Sequence, residues 1–140
     1  MNRLIIFILS GILLQADGVN ASEIIIKDCA KVYSHGEKPE FNKNLYANYY
    51  FRIDAKNKTI SEVWSYTDDA LKNSVSGTQK NNIINYKLLF MDNNFATGEI
   101  TYSSAGYKYE ITIDTKKYYV EKVRIFDFKV TKQTPMQCKK

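Results

Sequence analysis

The sequence of 140 residues has one histidine, two cysteines and six glycines, and this scarcity excludes several kinds of site. A single histidine, His35, and two distant cysteines do not supply the spacing of a zinc site. The sequence has no EF-hand series of acidic residues, and no glycine-rich motif that could hold a phosphate. We therefore expect neither a metal nor another cofactor.

Residues for nucleophilic catalysis are equally scarce. His35 is the one imidazole base, its neighbour Ser34 does not lie in a G-x-S-x-G motif, and a disulfide would remove Cys29 as a nucleophile. Asp54 and Asp114 resemble a pair of catalytic carboxylates, but each stands at the first corner of a predicted turn, which explains it without catalysis. The sequence predicts that the protein is not an enzyme.

The first 21 residues have the three parts of a secretory signal peptide. A positive start (Met1-Asn2-Arg3) precedes the apolar run Leu4–Leu14, and Val19-Asn20-Ala21 offers a cleavage site. The run is too short for the roughly 20 apolar residues that a membrane span needs. We expect residues 1–21 to be a signal peptide that forms a helix, residues 22–140 to be a single secreted β domain, and the protein to be secreted or periplasmic. Abundant Lys, Asn, Ile and Tyr, which have AT-rich codons, suggest a bacterial source.

An exported protein with two cysteines is expected to form a disulfide, and here only one intramolecular pairing exists. Cys29 and Cys138 would join the start of the mature domain to its end. The bond would close a loop of about 110 residues, and a loop near that size contributes up to about 4.7 kcal/mol by the chain-entropy argument.

The positive charge is concentrated at the end of the chain. Residues 22–107 carry 10 basic and 10 acidic side chains, whereas residues 108–140 carry 9 basic and 4 acidic ones. Clustered positive charge attracts anionic partners. Outside the cytoplasm these would be an anionic envelope or extracellular component, or another protein, and not a nucleic acid.

Short runs of β-branched and aromatic residues between turn signals predict an all-β fold. We expect an antiparallel meander of about seven strands that forms a small barrel or sandwich. Residues 34–44 and 67–82 should be loops, with Thr67 capping a short helical turn. The predicted strands are 24–33, 45–53, 59–66, 83–91, 95–103, 107–113 and 118–131.

Apolar residues change parity within the last predicted strand. Val123 and Ile125 stand at odd-numbered positions, whereas Phe126, Phe128 and Val130 stand at even-numbered ones. One straight strand cannot place both sets on the same face. A β-bulge near Ile125-Phe126 would resolve the conflict.

The high tyrosine content is the remaining indication of function, because the ring and hydroxyl of tyrosine suit recognition surfaces. We predict a non-catalytic binding or interaction protein whose partner meets a Tyr/Lys surface on the hairpin at 107–124. The residues of this predicted surface are Tyr107, Tyr109, Lys116, Lys117, Tyr118, Tyr119, Lys122 and Arg124.

Two other functions stay open. An inhibitor of an extracellular hydrolase, directed at a lysozyme or a protease, would insert an exposed loop at 67–82 or 103–107 into a cleft. The stretch Ser103–Tyr109 is loosely similar to the signature of the periplasmic inhibitors of C-type lysozyme, but its order differs, and no family is assigned from it. A carrier of a small apolar ligand would need an open barrel interior.

Overall fold

The computed structural model describes residues 23–33 and 38–140, which form an almost entirely β structure, as the sequence pattern predicts. The predicted signal peptide (1–21), Ser22 and the segment 34–37 with His35 lie outside the described residues. One short helix, α1 (Asp68–Lys72), and a 3-10 turn (Ser103–Ala105) accompany the strands. Within the described residues there are nine strands: β1 (Ile24–Lys31), β2 (Tyr46–Asp54), β3 (Thr59–Tyr66), β4 (Asn81–Met91), β5 (Phe95–Tyr102), β6 (Tyr107–Asp114), β7 (Tyr119–Phe126), β8 (Lys129–Lys132) and β9 (Met136–Lys139).

The strands form a closed antiparallel barrel. β1 to β7 pair in sequence order, β9 pairs with the first residues of β7, and β1 pairs with β9, so that eight strands close the circle. β8 is an additional strand that pairs with the last residues of β7. Of the two predicted architectures, barrel and sandwich, the barrel is the correct one.

The two ends of the barrel differ in the connections that they carry. Because antiparallel strands alternate in direction, the β1–β2, β3–β4, β5–β6 and β7–β8 connections all lie at one end, which we call the mouth end. The other end carries the tight turns at 55–58, 92–94 and 115–118 and is called the closed end.

Isoleucines fill the half of the barrel near the closed end. Residues that pair across antiparallel strands face the same side, and the pairs Ile53–Ile60 and Ile113–Val120 both point inward. Their side chains are almost fully buried. Gly98 on β5 allows close packing here, since an added Cβ would lie 2.9 Å from the Lys87 carbonyl oxygen.

The prediction of one long last strand with a bulge was wrong. The chain reverses at Asp127-Phe128, whose φ angles are 47° and 58°, and Phe126 pairs with Lys129 across this two-residue turn. Both central residues of such hairpin turns have positive φ. The parity change therefore reflects a change of strand.

The predicted disulfide is present. Cys29 on β1 bonds to Cys138 on β9, at a sequence separation of 109. β9 was not predicted; it starts just after Pro135 and closes the barrel by lying between β1 and β7. The disulfide thus covalently joins two neighbouring strands at the closure of the barrel.

The loop at 67–82 has the predicted capped helical turn. The Thr67 hydroxyl accepts a hydrogen bond from the Ala70 amide at 3.1 Å, and the helix ends at Lys72. Among the described residues, no helix has the length and apolar character required to cross a membrane.

Candidate functional site

A cavity of about 280 Å³ opens near the mouth end of the barrel. It lies where β8 has separated from the barrel wall, so that residues after β8 line one side and the end of β1 lines another. Its lining residues are Lys31, Tyr46, Tyr49, Phe51, Glu62, Trp64, Tyr66, Ile84, Val120, Lys122, Gln133, Thr134 and Met136.

A buried carboxylate forms the floor of this cavity. Glu62 on β3 is only 1% exposed, since its even position points inward between Ile60 and Trp64. The Tyr49 hydroxyl donates to Glu62 Oε1, and the Tyr86 hydroxyl donates to Oε2 at 2.6 Å. Burying a carboxylate is unfavourable unless it is paired and hydrogen-bonded, and these contacts provide that compensation.

Lys122 completes the network from the opposite wall. Its Nζ lies 3.0 Å from each oxygen of Glu62, although the two residues are 60 positions apart. The inward position of Lys122 follows from its pairing with Ile111 across β6 and β7. Its side chain is 24% exposed, so the ammonium group contacts both the carboxylate and the cavity.

The hydrogen-bonding capacity of Glu62 is therefore used up. A carboxylate offers about four acceptor positions, and two hydroxyls and two contacts with Lys122 occupy them. An ammonium group carries three protons, so Lys122 can direct a further N–H into the cavity. The network consequently presents a cationic donor to an incoming molecule, with no free carboxylate acceptor.

The two tyrosines of the network remain protonated donors. Burial, with the adjacent charge of Glu62 as a further cause, raises the pKa of the Tyr49 hydroxyl far above its ordinary range. The same causes raise the pKa of the Tyr86 hydroxyl. Both groups therefore keep donating to Glu62 throughout the physiological pH range.

Aromatic rings form one wall of the cavity. The Tyr49 and Trp64 rings stack with their centroids 5.8 Å apart, and the Tyr46 and Tyr66 rings stack at 5.5 Å. Tyr46 also meets Tyr49 edge to face at 5.2 Å. These contacts follow from register, since Tyr49 pairs with Trp64 and Tyr46 with Tyr66 across β2 and β3. The wall holds its rings in place before any ligand arrives.

The structure divides the Tyr/Lys surface that the sequence predicted. Lys116, Lys117, Tyr118 and Tyr119 lie at the β6–β7 turn, at the closed end. Tyr107, Tyr109, Lys122 and Arg124 face the barrel interior towards the mouth end, because Tyr107 pairs with Phe126 and Tyr109 with Arg124. Of the eight residues, only Lys122 lines the cavity.

Arg124 is held by aromatic contacts. Its guanidinium carbon lies 4.5 Å from the centroid of the Tyr107 ring and 5.7 Å from that of Phe126. Its buried Nε finds no hydrogen-bond acceptor among the described residues. Stacking on rings suits the planar guanidinium, so this arginine stabilises the mouth end by cation–π contact.

Sequence reasoning missed Glu62 and the aromatic wall. A usable signal existed, because Glu62 occupies the same parity as Ile60 and Trp64 in a strand with alternating pattern. A charged residue at an inward position requires a partner.

The sequence matches no family model, no curated protein and no solved structure.

Proposed function

We propose that this chain is an exported, non-catalytic binding protein whose cavity receives an anionic group of an envelope or extracellular component, or of another protein. The observation that carries the proposal is the saturation of Glu62, which leaves a further N–H of Lys122 as a hydrogen-bond donor available to a ligand. Lys31 adds a second cation to the lining. Because Glu62 and Lys122 neutralise each other, the charge of Lys31 is in excess.

The remaining lining suits a ligand with both polar and apolar parts. Trp64 and Tyr46 offer ring faces, whereas Gln133 and Thr134 offer hydrogen-bonding groups on the other side. Binding sites of this kind combine apolar surface with a few polar groups that fix orientation. A carboxylated sugar or an acidic side chain at the end of an aliphatic stem meets both requirements.

The occupied carboxylate of Glu62 is the reason for which we propose a non-catalytic role. A general base needs a free lone pair within reach of a substrate, and the oxygens of Glu62 are already occupied.

Export rests on the disulfide and the predicted signal peptide. Disulfides form and persist in oxidising compartments such as the periplasm and the extracellular space. The bond between Cys29 and Cys138 agrees with that location.

Hydrolase inhibition is a second candidate, since both loops that the sequence singled out, 67–82 and 103–107, lie at the mouth end. A partner entering the cavity would meet them. Carriage of a small apolar ligand receives less support, because such a ligand would cover the charged Lys122 without offering it an acceptor.

The fluorescence of Trp64 provides a direct test, since it is the chain's only tryptophan and it lines the cavity. We would titrate the oxidised protein with trigalacturonic acid and with a short Glu-rich peptide, using maltotriose and a Gln-rich peptide as neutral matches. We expect an acidic probe to change the emission and its neutral match to have no effect. Raising the salt concentration should weaken the response.

Two variants localise the site. Lys31→Gln should weaken binding of the acidic probe by about two- to fivefold, the range for one partly exposed charge pair. The matched control is the double variant Lys116→Gln/Lys117→Gln at the closed end, which should bind as the unchanged protein does. A response to neither acidic probe, or a loss confined to the control variant, would refute the proposal.

A further inference from the structure

The tip of the β7–β8 hairpin carries a fully exposed aromatic ring. Phe128 is 100% exposed and is the second residue of the two-residue turn, with φ at 58°. Such turns favour Asn-Gly or Asp-Gly, because both central residues need positive φ. Asp127 fits this preference, whereas a phenylalanine in place of glycine does not.

Phe128 is unfavourable in two respects for the isolated domain. A bulky residue with positive φ is uncommon and holds the backbone in a strained conformation. Full exposure also forfeits the stabilisation that an aromatic ring gains on burial. Glycine at this position would avoid both penalties, so an external contact for the ring gives a physical reason for its presence.

The apolar surface continues around the hairpin end. Phe126 is 50% exposed on one face, and Val130 is 62% exposed on the other, because Phe126 pairs with Lys129 while Val130 pairs with Ile125. Apolar side chains therefore occupy both faces and the tip.

Basic residues outnumber acidic ones in this hairpin. Residues 123–132 contain three basic residues, Arg124, Lys129 and Lys132, and one acidic residue, Asp127. Lys129 and Lys132 are exposed. Lysine side chains can extend along apolar surface while their ammonium groups stay in contact with water or with anionic groups.

We propose that the tip of the β7–β8 hairpin inserts into the interface of an anionic lipid bilayer. A protein groove would contact one face of the hairpin, whereas a fluid interface surrounds an apolar tip on all sides. Basic residues near such a surface are attracted to the anionic headgroups. The arrangement of Phe128 at the tip, with Lys129 and Lys132 behind it, matches that environment.

The position of the tip has a consequence for the cavity. The β7–β8 connection lies at the mouth end, together with the loop that carries α1 and the turn at 103–106. Docking through Phe128 would therefore hold the mouth end close to the lipid surface. The hairpin's lipid contact does not require that the cavity bind a ligand.

Sedimentation with large unilamellar vesicles tests the proposal. Vesicles of phosphatidylcholine with about 30 mol% phosphatidylglycerol, an anionic lipid, are compared with vesicles of pure phosphatidylcholine at low and at physiological salt. We expect binding to the anionic vesicles that falls with salt.

The variant Phe128→Gly separates lipid contact from folding, because glycine accepts positive φ without strain. It should lower the partition coefficient about tenfold, the lower range for a buried phenylalanine. The double variant Lys129→Gln/Lys132→Gln, which removes two positive charges, should lower it about 30-fold. Phe90→Ala serves as the matched control, since Phe90 is an exposed aromatic residue near the closed end and should not matter.

Three results would overturn the proposal. The first is an absence of binding to anionic vesicles by the unchanged protein. The second is a Phe128→Gly variant that binds the vesicles as the unchanged protein does, while the double variant at Lys129 and Lys132 no longer binds them. That result would indicate electrostatic attraction to the surface without insertion of the ring. The third is Phe128-dependent capture of a protein partner with no affinity for vesicles.

Discussion

Replacing Lys122 by methionine should destabilise the fold more than replacing its buried partner. Lys122→Met keeps an unbranched side chain, one atom shorter, but removes the ammonium group that contacts both oxygens of Glu62 at 3.0 Å. Glu62 is 1% exposed, so its charge would remain buried with only the tyrosine hydroxyls as donors. Removing one partner of a buried ion pair costs about 3–5 kcal/mol.

Partial solvent access at Lys122 points to the lower end of that range. We expect Lys122→Met to lower the free energy of unfolding by about 3 kcal/mol. Glu62→Gln should lower it by about 1–2 kcal/mol, because the freed ammonium group can reach water while one buried hydroxyl loses its acceptor. The double variant should resemble Glu62→Gln alone, since residues in one network are not additive.

Urea unfolding followed by circular dichroism at pH 7 gives these free energies. Lys116→Met is a surface control, and it should change the free energy of unfolding by less than about 0.5 kcal/mol. The reasoning would be refuted if Lys122→Met proved less destabilising than Glu62→Gln. A strictly additive double variant would contradict it as well.

Three further outcomes follow from the barrel's construction. Replacing Cys29 and Cys138 by serine should lower the free energy of unfolding by up to about 4.7 kcal/mol, measured by urea unfolding, and an unchanged midpoint would exclude a contribution from the bond. Gly98→Ala should cost about 1–3 kcal/mol, because its Cβ would collide with the Lys87 carbonyl oxygen; a thermal midpoint equal to that of the unchanged protein would argue against this contact. The backbone amides that follow Asp92 hold the pKa of its carboxyl below the ordinary value. This stabilisation is present above the unfolded-state pKa and is lost as pH falls through the lower folded-state pKa. Asp92→Ala should therefore lower the free energy of unfolding at pH 7. The difference from the unchanged protein should shrink below about pH 4, as measured by unfolding at a series of acidic pH values. A difference that stays constant with pH would contradict this role of Asp92.

The all-β class and the disulfide followed from local signals. Short runs of β-branched and aromatic residues between turn signals indicated the strands, and two cysteines allow only one intramolecular pairing. The strand pattern can be recognised from a few consecutive residues, and the disulfide can be inferred from the number of cysteines alone.

The end of the chain was harder to predict because its signals are weak. Asp127-Phe128 lacks the glycine or proline that marks most tight turns, so β7 and β8 read as one strand. β9 has four residues and gains its stability from pairing with β1 and β7, which are distant in sequence.

The candidate site depends on contacts between residues far apart in the chain. From its local sequence Glu62 looks like an ordinary surface residue, because its inward orientation depends on how β3 pairs with β2 and β4. Lys122 was identified for its charge, but its partner 60 residues away became visible only through closure of the barrel. Register across several strands is set by the whole sheet, which a single strand's pattern does not specify.

Backbone amide and indole chemical shifts, followed while an acidic probe such as trigalacturonic acid is added, test the central claim most directly. If the cavity beside Lys122 is the binding site, shifts should change at Lys31, at the Trp64 indole and around Gln133. The β6–β7 turn with Lys116 and Lys117 should stay unchanged. Changes confined to that turn, with the Trp64 indole unaffected, would contradict the account.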